Sequence, residues 1–332
     1  LDERMGLEVS AKGTRFKLNR DLAGYHLTNR AEIDVPAFDS TVRLAIPSEP
    51  SDLRFPGALV SVEAVSFNYP KTNAEVLRDV SLTIHLGERV GLAGLNGSGK
   101  TTLVSLVMGY GEQLNGPSGS TAALAPSKGT ITRHSRVKIG RFSQRAVEEL
   151  EILGKAEPSL TALADLMRTA EGALDEKDAR GILGGLGLQG STASDVPIAA
   201  LSGGQKVRHA LAKILWSAPH LLILDEVTTH LDSDTILALI VALKNYQGAL
   251  LVVTHDRFFM RCVVQGENPY MLANRPGVDA EDMSDETDDE EDAGSCKGRV
   301  YRVSKGQLKV LEGGMTQYEE IAVRASSKLT SR

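Results

Sequence analysis

The stretch Gly91-Leu-Ala-Gly94-Leu-Asn-Gly97-Ser98-Gly99-Lys100-Thr101-Thr102 decides the fold of this chain. Residues 94–101 fit G-x-x-x-x-G-K-[ST], a loop that binds phosphate groups. The residues before it, Arg89–Ala93, are predicted to form a short buried strand, and residues 101–108 a helix. Glycines let the backbone turn its N–H groups toward phosphate oxygens, and the helix start adds partial positive charge. An isolated match can also be a plain glycine turn, so the motif needs support from the rest of the chain.

The loop and the helix start offer the groups that a nucleoside triphosphate and its metal require. Lys100 is predicted to reach the β and γ phosphates, and the Thr101 hydroxyl to bind Mg²⁺. Tyr69 lies about thirty residues before Lys100, where a flat ring could stack on an adenine; the alternative is an ordinary strand tyrosine. The residues of the loop segment that we expect to contact the nucleotide are Gly94, Asn96, Gly97, Ser98, Gly99, Lys100, Thr101 and Thr102.

Two continuous apolar runs later in the chain end in polar residues. Leu221–Leu224 ends in Asp225-Glu226, and residues 248–254 end at His255. Such runs are typical of central parallel strands. Two carboxylates at the end of a buried strand are costly unless they serve a cation or a reaction. Since ligands bind beyond the carboxyl ends of such strands, these residues and the phosphate loop are expected at one crevice. A buried structural histidine is the alternative for His255.

Two further segments carry candidate site residues. Ser202, Gly203, Gly204 and Gln205 precede a predicted helix, and their free N–H groups make a second candidate anion site. Gln144 follows a predicted strand, and a glutamine in that place can bind Mg²⁺ or a water molecule. The alternative for Gln144 is an ordinary surface residue.

The composition indicates a globular chain. Hydrophobic residues make up 42% of it, which is ample for a core. No apolar run approaches the roughly 18–20 residues of a membrane span, so no membrane insertion is expected. The two cysteines make no disulfide framework, which suits a reducing, cytoplasmic compartment. The first residues contain no apolar targeting segment and no initiator methionine at position 1, so we expect a fragment of a longer chain.

We divide the chain into a linker tail with an extended N-terminal segment, 1–57, and one domain, 58–325. Apolar residues at helical spacing predict a helical subdomain at about 145–200. The run Asp279–Asp292 contains ten acidic residues among fourteen and predicts a disordered loop at about 277–296. Without this run the folded part is mildly basic, which is compatible with a nucleic-acid-rich partner.

The motifs, in their order along the chain, resemble those of the ATP-binding-cassette (ABC) ATPase. They are the phosphate loop, a glutamine after a strand, Leu201-Ser-Gly-Gly-Gln205, an apolar strand ending in Asp225-Glu226, and a strand-end histidine. The resemblance covers roughly residues 58–324. It implies an α/β fold, that of an ABC-type P-loop ATPase with a mostly parallel core sheet, an antiparallel β subdomain and an inserted helical subdomain. It also implies a second ABC cassette, from the same parent chain or a homodimer, so that two ATP molecules are held head to tail.

The resemblance gives each motif a role. Glu226 would activate the attacking water, and Asp225 would help to hold Mg²⁺. Each ATP would lie between the phosphate loop of one cassette and the Ser202–Gln205 motif of the other. The other implied contacts are His255 with the γ-phosphate, Gln144 with metal and water, and Asp232 across the pair of cassettes.

Within this superfamily the chain is similar to the ABC-F branch, whose soluble tandem cassettes mostly act on ribosomes. The supporting stretches are Asp225-Glu-Val-Thr-Thr-His-Leu-Asp232, Thr254-His-Asp-Arg-Phe-Phe259 and Gly313-Gly-Met-Thr-Gln-Tyr-Glu319. The basic opening segment would then end the linker between cassettes and make this the second cassette. Val227 and Thr229 depart from the proline and asparagine of that branch, so we expect a looser loop after Glu226.

Two functions are compared. The first is an ATPase that remodels ribosome-bound translation or ribosome assembly, and the second is the ATPase subunit of a membrane transporter. The run His255-Asp-Arg-Phe-Phe259 favours the first. An ATPase of DNA repair or chromosome structure would need a long coiled coil between Thr102 and Leu201, and the sequence contains none.

Overall fold

The computed structural model describes residues 44–46, 49–50, 57–69, 74–112, 121–143, 145–269 and 298–330. The chain divides into two compact units, Leu1–Thr41 and Val42–Arg332, and every described residue belongs to the second. Three predictions fall outside the described residues: the metal and water contact of Gln144, the disordered loop at about 277–296, and most of the linker tail at 1–57.

Eleven strands and nine α-helices are assigned here within the described residues. In chain order they are β1 (Ala58–Asn68), β2 (Glu75–His85), β3 (Arg89–Ala93), α1 (Lys100–Met108), β4 (Tyr110–Glu112), β5 (Thr121–Ala123), β6 (Lys128–Arg133), β7 (Ile139–Phe142), α2 (Ala146–Ala156), α3 (Ala162–Thr169), α4 (Glu176–Gly185), α5 (Ser191–Ser194), α6 (Gly203–Leu215), β8 (Leu221–Asp225), α7 (Ser233–Lys244), β9 (Ala249–Val253), α8 (Arg257–Val263), β10 (Arg299–Ser304), β11 (Gln307–Leu311) and α9 (Gly314–Thr330). Short 3-10 helices lie at Ile198–Ala200 and Val227–His230.

The core is a six-stranded sheet in the order β11-β10-β3-β9-β8-β7, in which only the β10–β11 pair is antiparallel. Every residue of β8 and β9 is buried. Alternate residues of β8 enter two different clusters of the core: Leu222 and Leu224 pack in one, and Leu221 and Ile223 in the other. A strand covered on both faces has to be apolar throughout, which explains the continuous runs and confirms the predicted parallel core.

The second sheet is antiparallel, in the order β2-β1-β6. The alternation of apolar and polar residues in β2 follows its burial, because one face packs on the core. In β1 the pairing shifts between Val62 and Val65, and Ala64 adopts a positive φ of 48°. In the sequence, the apolar pattern of Val60 and Val62 shifts before it resumes at Phe67, and this shift corresponds to the bulge. The predicted antiparallel β subdomain is confirmed.

Helices α2 to α5 occupy the stretch for which sequence periodicity predicts helices. Leu163, Leu166 and Leu183 are buried, as expected of an apolar stripe facing the core. The side chains of Thr161 and Asp175 cap the first turns of α3 and α4. The limits of a separate helical subdomain at about 145–200 remain a prediction.

Two segments differ from the sequence-based expectation. The stretch 109–127 is rich in Gly, Ser, Ala and Pro, which predicts a loop, but it contains the hairpin of β4 and β5, in which Tyr110 pairs with Ala123. Small residues hide this pairing in the sequence, since β5 is Thr-Ala-Ala and carries no alternating pattern. The last helix, predicted as a short piece, continues through α9 to Thr330. Across the described ranges, no helix has both the length and the apolar character needed to cross a bilayer.

Candidate nucleotide site

The phosphate loop joins β3 to α1 and depends on two glycines with positive φ. Gly97 has a φ of 74°, and Gly99, immediately before α1, has a φ of 104°. A side chain is strained in this region, so glycine is required there. Gly94 is required for a steric reason, because a Cβ on it would lie 2.5 Å from the Val303 carbonyl oxygen. The loop thus forms only with glycine at these positions.

Lys100 is the first residue of α1 and is buried. Its Nζ donates hydrogen bonds to the carbonyl oxygens of Gly94 at 2.8 Å and Leu95 at 3.1 Å. Burial lowers the pKa of Lys100, while the nearby carboxylates of Glu226 and Asp225 act in the opposite direction. The ammonium group is therefore held at the loop, close to the place where phosphate oxygens would bind.

A cavity of about 600 Å³ lies where β3, β8 and β9 end. This volume falls within the range of roughly 300–1,000 Å³ common for small-molecule sites. The predicted residues that line it are Tyr69, Asn96, Gly97, Gly99, Lys100, Thr101, Thr102, Asp225, Glu226 and His255. Three strand ends that are distant in the sequence therefore meet at one crevice, as the parallel order of the sheet requires.

Asp225 ends β8 and is only 2% exposed. Its Oδ2 lies 3.4 Å from a guanidinium nitrogen of Arg141 on the neighbouring strand β7. Sequence reasoning missed Arg141, because its place opposite Ile223, two residues before Asp225, depends on the register of β7 against β8, which the sequence does not show. An arginine beside a buried carboxylate offsets part of the desolvation cost of that carboxylate.

Glu226 follows Asp225 in the left-handed conformation, with φ of 55°. Its backbone N–H donates to the Val253 carbonyl oxygen at 2.8 Å, which ties the end of β8 to the end of β9. Burial raises the pKa of Glu226, and the charge of His255 opposes that rise. Strained backbone held by the surrounding sheet is common at reactive residues, where it aims a side chain.

His255 and Asn96 contact each other across the cavity. The His255 Nε2 lies 2.7 Å from the Asn96 Oδ1 and 3.8 Å from the Glu226 Oε1. The ring is about half exposed, so it is not the buried structural histidine that was the alternative. The contact joins the end of β9 to the phosphate loop.

Tyr69 lies just after β1 at the edge of the cavity. Its hydroxyl is 3.0 Å from the Thr102 Oγ1, and its ring meets Phe67 edge to face, with centroids 5.0 Å apart. These two contacts fix the ring beside the first turn of α1. The ring therefore lies at the edge of the cavity, and its stacking on a base remains a prediction.

The Ser202–Gln205 motif is a capped helix start that does not line this cavity. The Ser202 side chain accepts from the Gln205 N–H at 3.2 Å, and the Gln205 side chain accepts from the Ser202 N–H at 2.9 Å. Ser202 and Gly203 are exposed. A Cβ on Gly204 would lie 3.7 Å from the His230 carbonyl oxygen, so the motif packs against the 3-10 turn after Glu226.

Asp232 also lies outside the cavity lining. Its carboxylate caps α7, accepting from the Thr235 N–H at 3.1 Å and from the Thr235 hydroxyl at 2.7 Å. These bonds lower the pKa of Asp232. The carboxylate is exposed, so the cap leaves it accessible from outside.

Both unusual residues in the loop after Glu226 make contacts in the structure. Val227 is buried, and the Thr229 hydroxyl donates to the Glu226 carbonyl oxygen at 2.8 Å. Val227 thus packs in the core, and Thr229 closes the 3-10 turn; a loop looser than that of the ABC-F branch remains a prediction. Thr229 also lines the cavity, which the sequence reasoning missed.

The donor chemistry near the phosphate loop fits Mg²⁺. Asp225 supplies a buried carboxylate and Thr101 a hydroxyl, both hard oxygen ligands. No group of three metal-binding side chains occurs in the described part of the chain. Mg²⁺ in nucleotide sites characteristically takes only one or two protein ligands and completes its shell with phosphates and water, so the residues present suffice.

Residues 77–229 match the protein family described as "ABC transporter". Similar curated proteins include the ATP-binding cassette sub-family F member 2 of Bos taurus, 36% identical over 64% of this chain and 31% of that protein. Protein GCN20 of Saccharomyces cerevisiae is 35% identical over 68% of this chain and 26% of its own length. YheS of Escherichia coli is 37% identical over 80% of this chain and 37% of its own length. The chain thus spans about a third of the length of these relatives.

Among solved structures, an inward-facing ABC transporter of the metal-chelate type is similar with a TM-score of 0.51 and 19% identity. The match covers 77% of this chain and 84% of that chain. At this identity the likeness concerns the fold alone.

Proposed function

Because residues 77–229 form an ATP-binding cassette of the ABC type, related to the cassettes of ABC-F proteins, we propose that this chain binds and hydrolyses ATP. The observation that supports hydrolysis is the convergence of three strand ends on one cavity. It brings together Lys100, Glu226 and His255, which are far apart in the sequence. A cation, a carboxylate and an imidazole at one phosphate site are the groups that phosphoryl transfer to water requires.

The phosphate loop would bind the triphosphate. The first residues of α1 line the cavity, and the helix dipole favours an anion there. Lys100 would exchange its two carbonyl contacts for oxygens of the β and γ phosphates. Thr101 and Asp225 would hold Mg²⁺, which when bound neutralises charge on the phosphate oxygens.

Glu226 is the proposed general base. Its carboxylate would accept the proton of a water molecule as the water attacks the γ-phosphate. The raised pKa of Glu226 favours this role, since a base works best when its pKa approaches the working pH. His255, oriented by Asn96, would contact the γ-phosphate from the opposite strand end.

A second cassette would complete the site. The Ser202–Gln205 helix start is exposed and does not line the cavity of its own chain. Because the capping box already binds the N–H groups of Ser202 and Gln205, the first-turn N–H groups of Gly203 and Gly204 are the ones offered to an ATP held elsewhere. We propose that this ATP belongs to a second cassette, in the same parent chain or in a second copy. Asp232, exposed near this surface, would then contact the partner.

The ribosome is the proposed target, in translation or in ribosome assembly, and the cytoplasm the proposed location. The relationship to proteins of the F sub-family supports this proposal, as does the stretch Asp225–Asp232, which is similar to that branch. The ATP-driven closing and opening of two cassettes would change the fit between the protein and its target.

The substitution Glu226→Gln provides the test. The amide keeps the shape of the side chain but cannot accept a proton, so ATP should bind normally and hydrolysis should slow by about 10²–10⁴-fold. The closed, ATP-bound protein should then accumulate and stay on its target. The measurements are single-turnover hydrolysis, and sedimentation of the full-length variant with ribosomes, with and without ATP.

The two measurements test separately the catalytic role of Glu226 and the ribosome as the target. Hydrolysis at the normal rate would remove Glu226 from catalysis. Slow hydrolysis without retention on ribosomes would keep the chemistry and reject the ribosome as the target; ATP-dependent binding to a membrane protein would then support the transporter alternative.

A further inference from the structure

A buried ionic cluster joins α3 to α6, the helix that begins at the Ser202–Gln205 motif. Asp165 on α3 is 1% exposed, and its Oδ2 accepts hydrogen bonds at 2.8 Å from both His209 Nε2 and Lys213 Nζ on α6. Arg168 contacts the other oxygen of the carboxylate at 3.3 Å. Removing a partner from a carboxylate buried to this degree strongly destabilises a protein, because the charge is left uncompensated.

The cluster fixes the rotation of α6 about its axis and its position along that axis. His209 and Lys213 are four residues apart and therefore lie on the same face of the helix. Lys206, one turn earlier on this face, is buried and contacts Glu151 of α2 at 3.3 Å. With three side chains of one face bound to two other helices, α6 cannot rotate about its axis or slide without breaking charged hydrogen bonds.

The start of α6 is directly connected to these contacts. Ser202 precedes His209 by about two helical turns and lies close to the same face. The capping box between Ser202 and Gln205 makes the exposed N–H groups a rigid extension of the helix. A rotation of α6 would therefore displace these N–H groups from an anion that they bind.

Stability alone gives no reason for an ionic cluster at this place. Apolar residues of similar size would hold two helices together at least as well, because they avoid the cost of burying charge. The His209 Nδ1 is buried and has no hydrogen-bond partner among the described residues, which is a further cost of having a histidine here. Directional hydrogen bonds provide what apolar packing lacks, namely one defined orientation.

We propose that Asp165, His209 and Lys213 are positioning residues that aim the Ser202–Gln205 helix start at the ATP of the facing cassette. This inference rests on the proposed function. Loss of the cluster should slow hydrolysis of the ATP held by the partner while leaving ATP binding at the chain's own phosphate loop unchanged. Misplacement of a catalytic group by about 1 Å can cost 10²-fold in rate.

The first experiment compares Asp165→Asn with the double variant Asp165→Leu/His209→Leu. Both should bind ATP within about two-fold of the normal affinity and hydrolyse it about 10- to 100-fold more slowly. The double leucine variant should recover the thermal stability that Asp165→Asn loses, but it should not recover the rate of ATP hydrolysis. Glu176→Gln is the matched control, since it breaks an exposed ion pair with Arg180 in the same group of helices, and its rate should not change.

The second experiment places the defect in one copy. Copies with Lys100→Ala, which cannot hold ATP, are mixed in about ten-fold excess with normal copies, so that most normal copies face a Lys100→Ala partner. Adding Asp165→Asn to the Lys100→Ala copies should slow hydrolysis, whereas adding it to the ATP-holding copies should not.

The outcomes separate the two proposals. A folded Asp165→Asn variant with the normal rate, recovery of the rate in the double leucine variant, or a defect that follows the ATP-holding copy would each overturn the positioning role alone. A normal chain that neither binds nor hydrolyses ATP would remove the proposed function and this inference with it.

Discussion

At the scale of single residues, the site depends on side chains held by backbone groups. Lys100 is fixed by two carbonyl oxygens of its own loop, and Glu226 by the positive φ at the end of β8. Their proposed functions nevertheless differ: Lys100 would interact with the bound nucleotide, whereas Glu226 would interact with the water that attacks it. Substitutions should therefore separate binding from hydrolysis.

Lys100→Ala should abolish tight ATP binding without unfolding the domain. It removes the point charge that would contact the β and γ phosphates, and the two carbonyl oxygens that Lys100 contacts can turn to water. The measurement is equilibrium binding of a fluorescent ATP analogue, with circular dichroism as the check on folding. Unchanged affinity in a folded variant would contradict the assignment of the phosphate loop.

Tyr69 should contribute through its ring rather than its hydroxyl. Tyr69→Ala removes a stacking surface worth about 1–3 kcal/mol and should weaken ATP binding about ten-fold, while GTP should bind to some degree. Tyr69→Phe loses the hydroxyl contact with Thr102, which water can replace, and should change the affinity by about two-fold at most. A Phe variant as weak as the Ala variant would show that the hydroxyl is what matters.

At the scale of elements, the contact between α3 and α6 should depend on pH. Burial by itself would raise the pKa of Asp165, but the hydrogen bonds from His209 and Lys213 outweigh it and bring the pKa to about 2, below the unfolded value of 3.8. A lowered pKa stabilises the fold above the unfolded pKa, and that stability is lost as the pH falls through the folded pKa. The contribution is on the order of 2 kcal/mol.

The check is urea unfolding of the normal chain and Asp165→Asn between pH 7 and pH 2. The difference in the free energy of unfolding should be constant above about pH 4 and shrink toward pH 2. Other carboxylates titrate in both proteins, so the difference isolates Asp165. A difference that does not vary with pH would mean that the carboxylate is not charged in the folded state.

At the scale of the whole molecule, one cassette contains half of each proposed composite site. The cavity side includes Lys100 and Glu226, whereas the Ser202–Gln205 helix start is exposed outside it. ATP binding and ATP hydrolysis should therefore depend differently on protein concentration. In the proposed arrangement, binding needs one chain, and hydrolysis needs two cassettes.

The ATPase rate per chain should rise with protein concentration while the affinity for ATP stays constant. Association follows mass action, so dilution below the dissociation constant of the pair separates the half-sites. Two copies joined by a long flexible linker should lose this dependence, because the second cassette is then always near. A constant rate per chain over a hundred-fold dilution of unlinked copies would indicate that a single cassette is sufficient.

The sequence by itself determined the features that depend on neighbouring residues. The glycines and Lys100 specify the loop between β3 and α1, the apolar runs specify β8 and β9, and the alternation in Val80–Leu86 specifies the half-buried strand β2. These patterns are local because backbone geometry and burial repeat every two or about 3.6 residues. The convergence of three strand ends also follows from sequence, once the sheet is assumed parallel.

Only the tertiary structure decided which distant side chains meet. The approach of Arg141 to Asp225 depends on the register of β7 against β8, and the cluster of Asp165, His209 and Lys213 depends on how α3 packs against α6. Neither has a local signal, since each residue alone fits an ordinary strand or helix position. Contacts of this kind arise from the packing of whole elements, which fixes their rotation and register, and a pattern read along one segment contains no information about its neighbour.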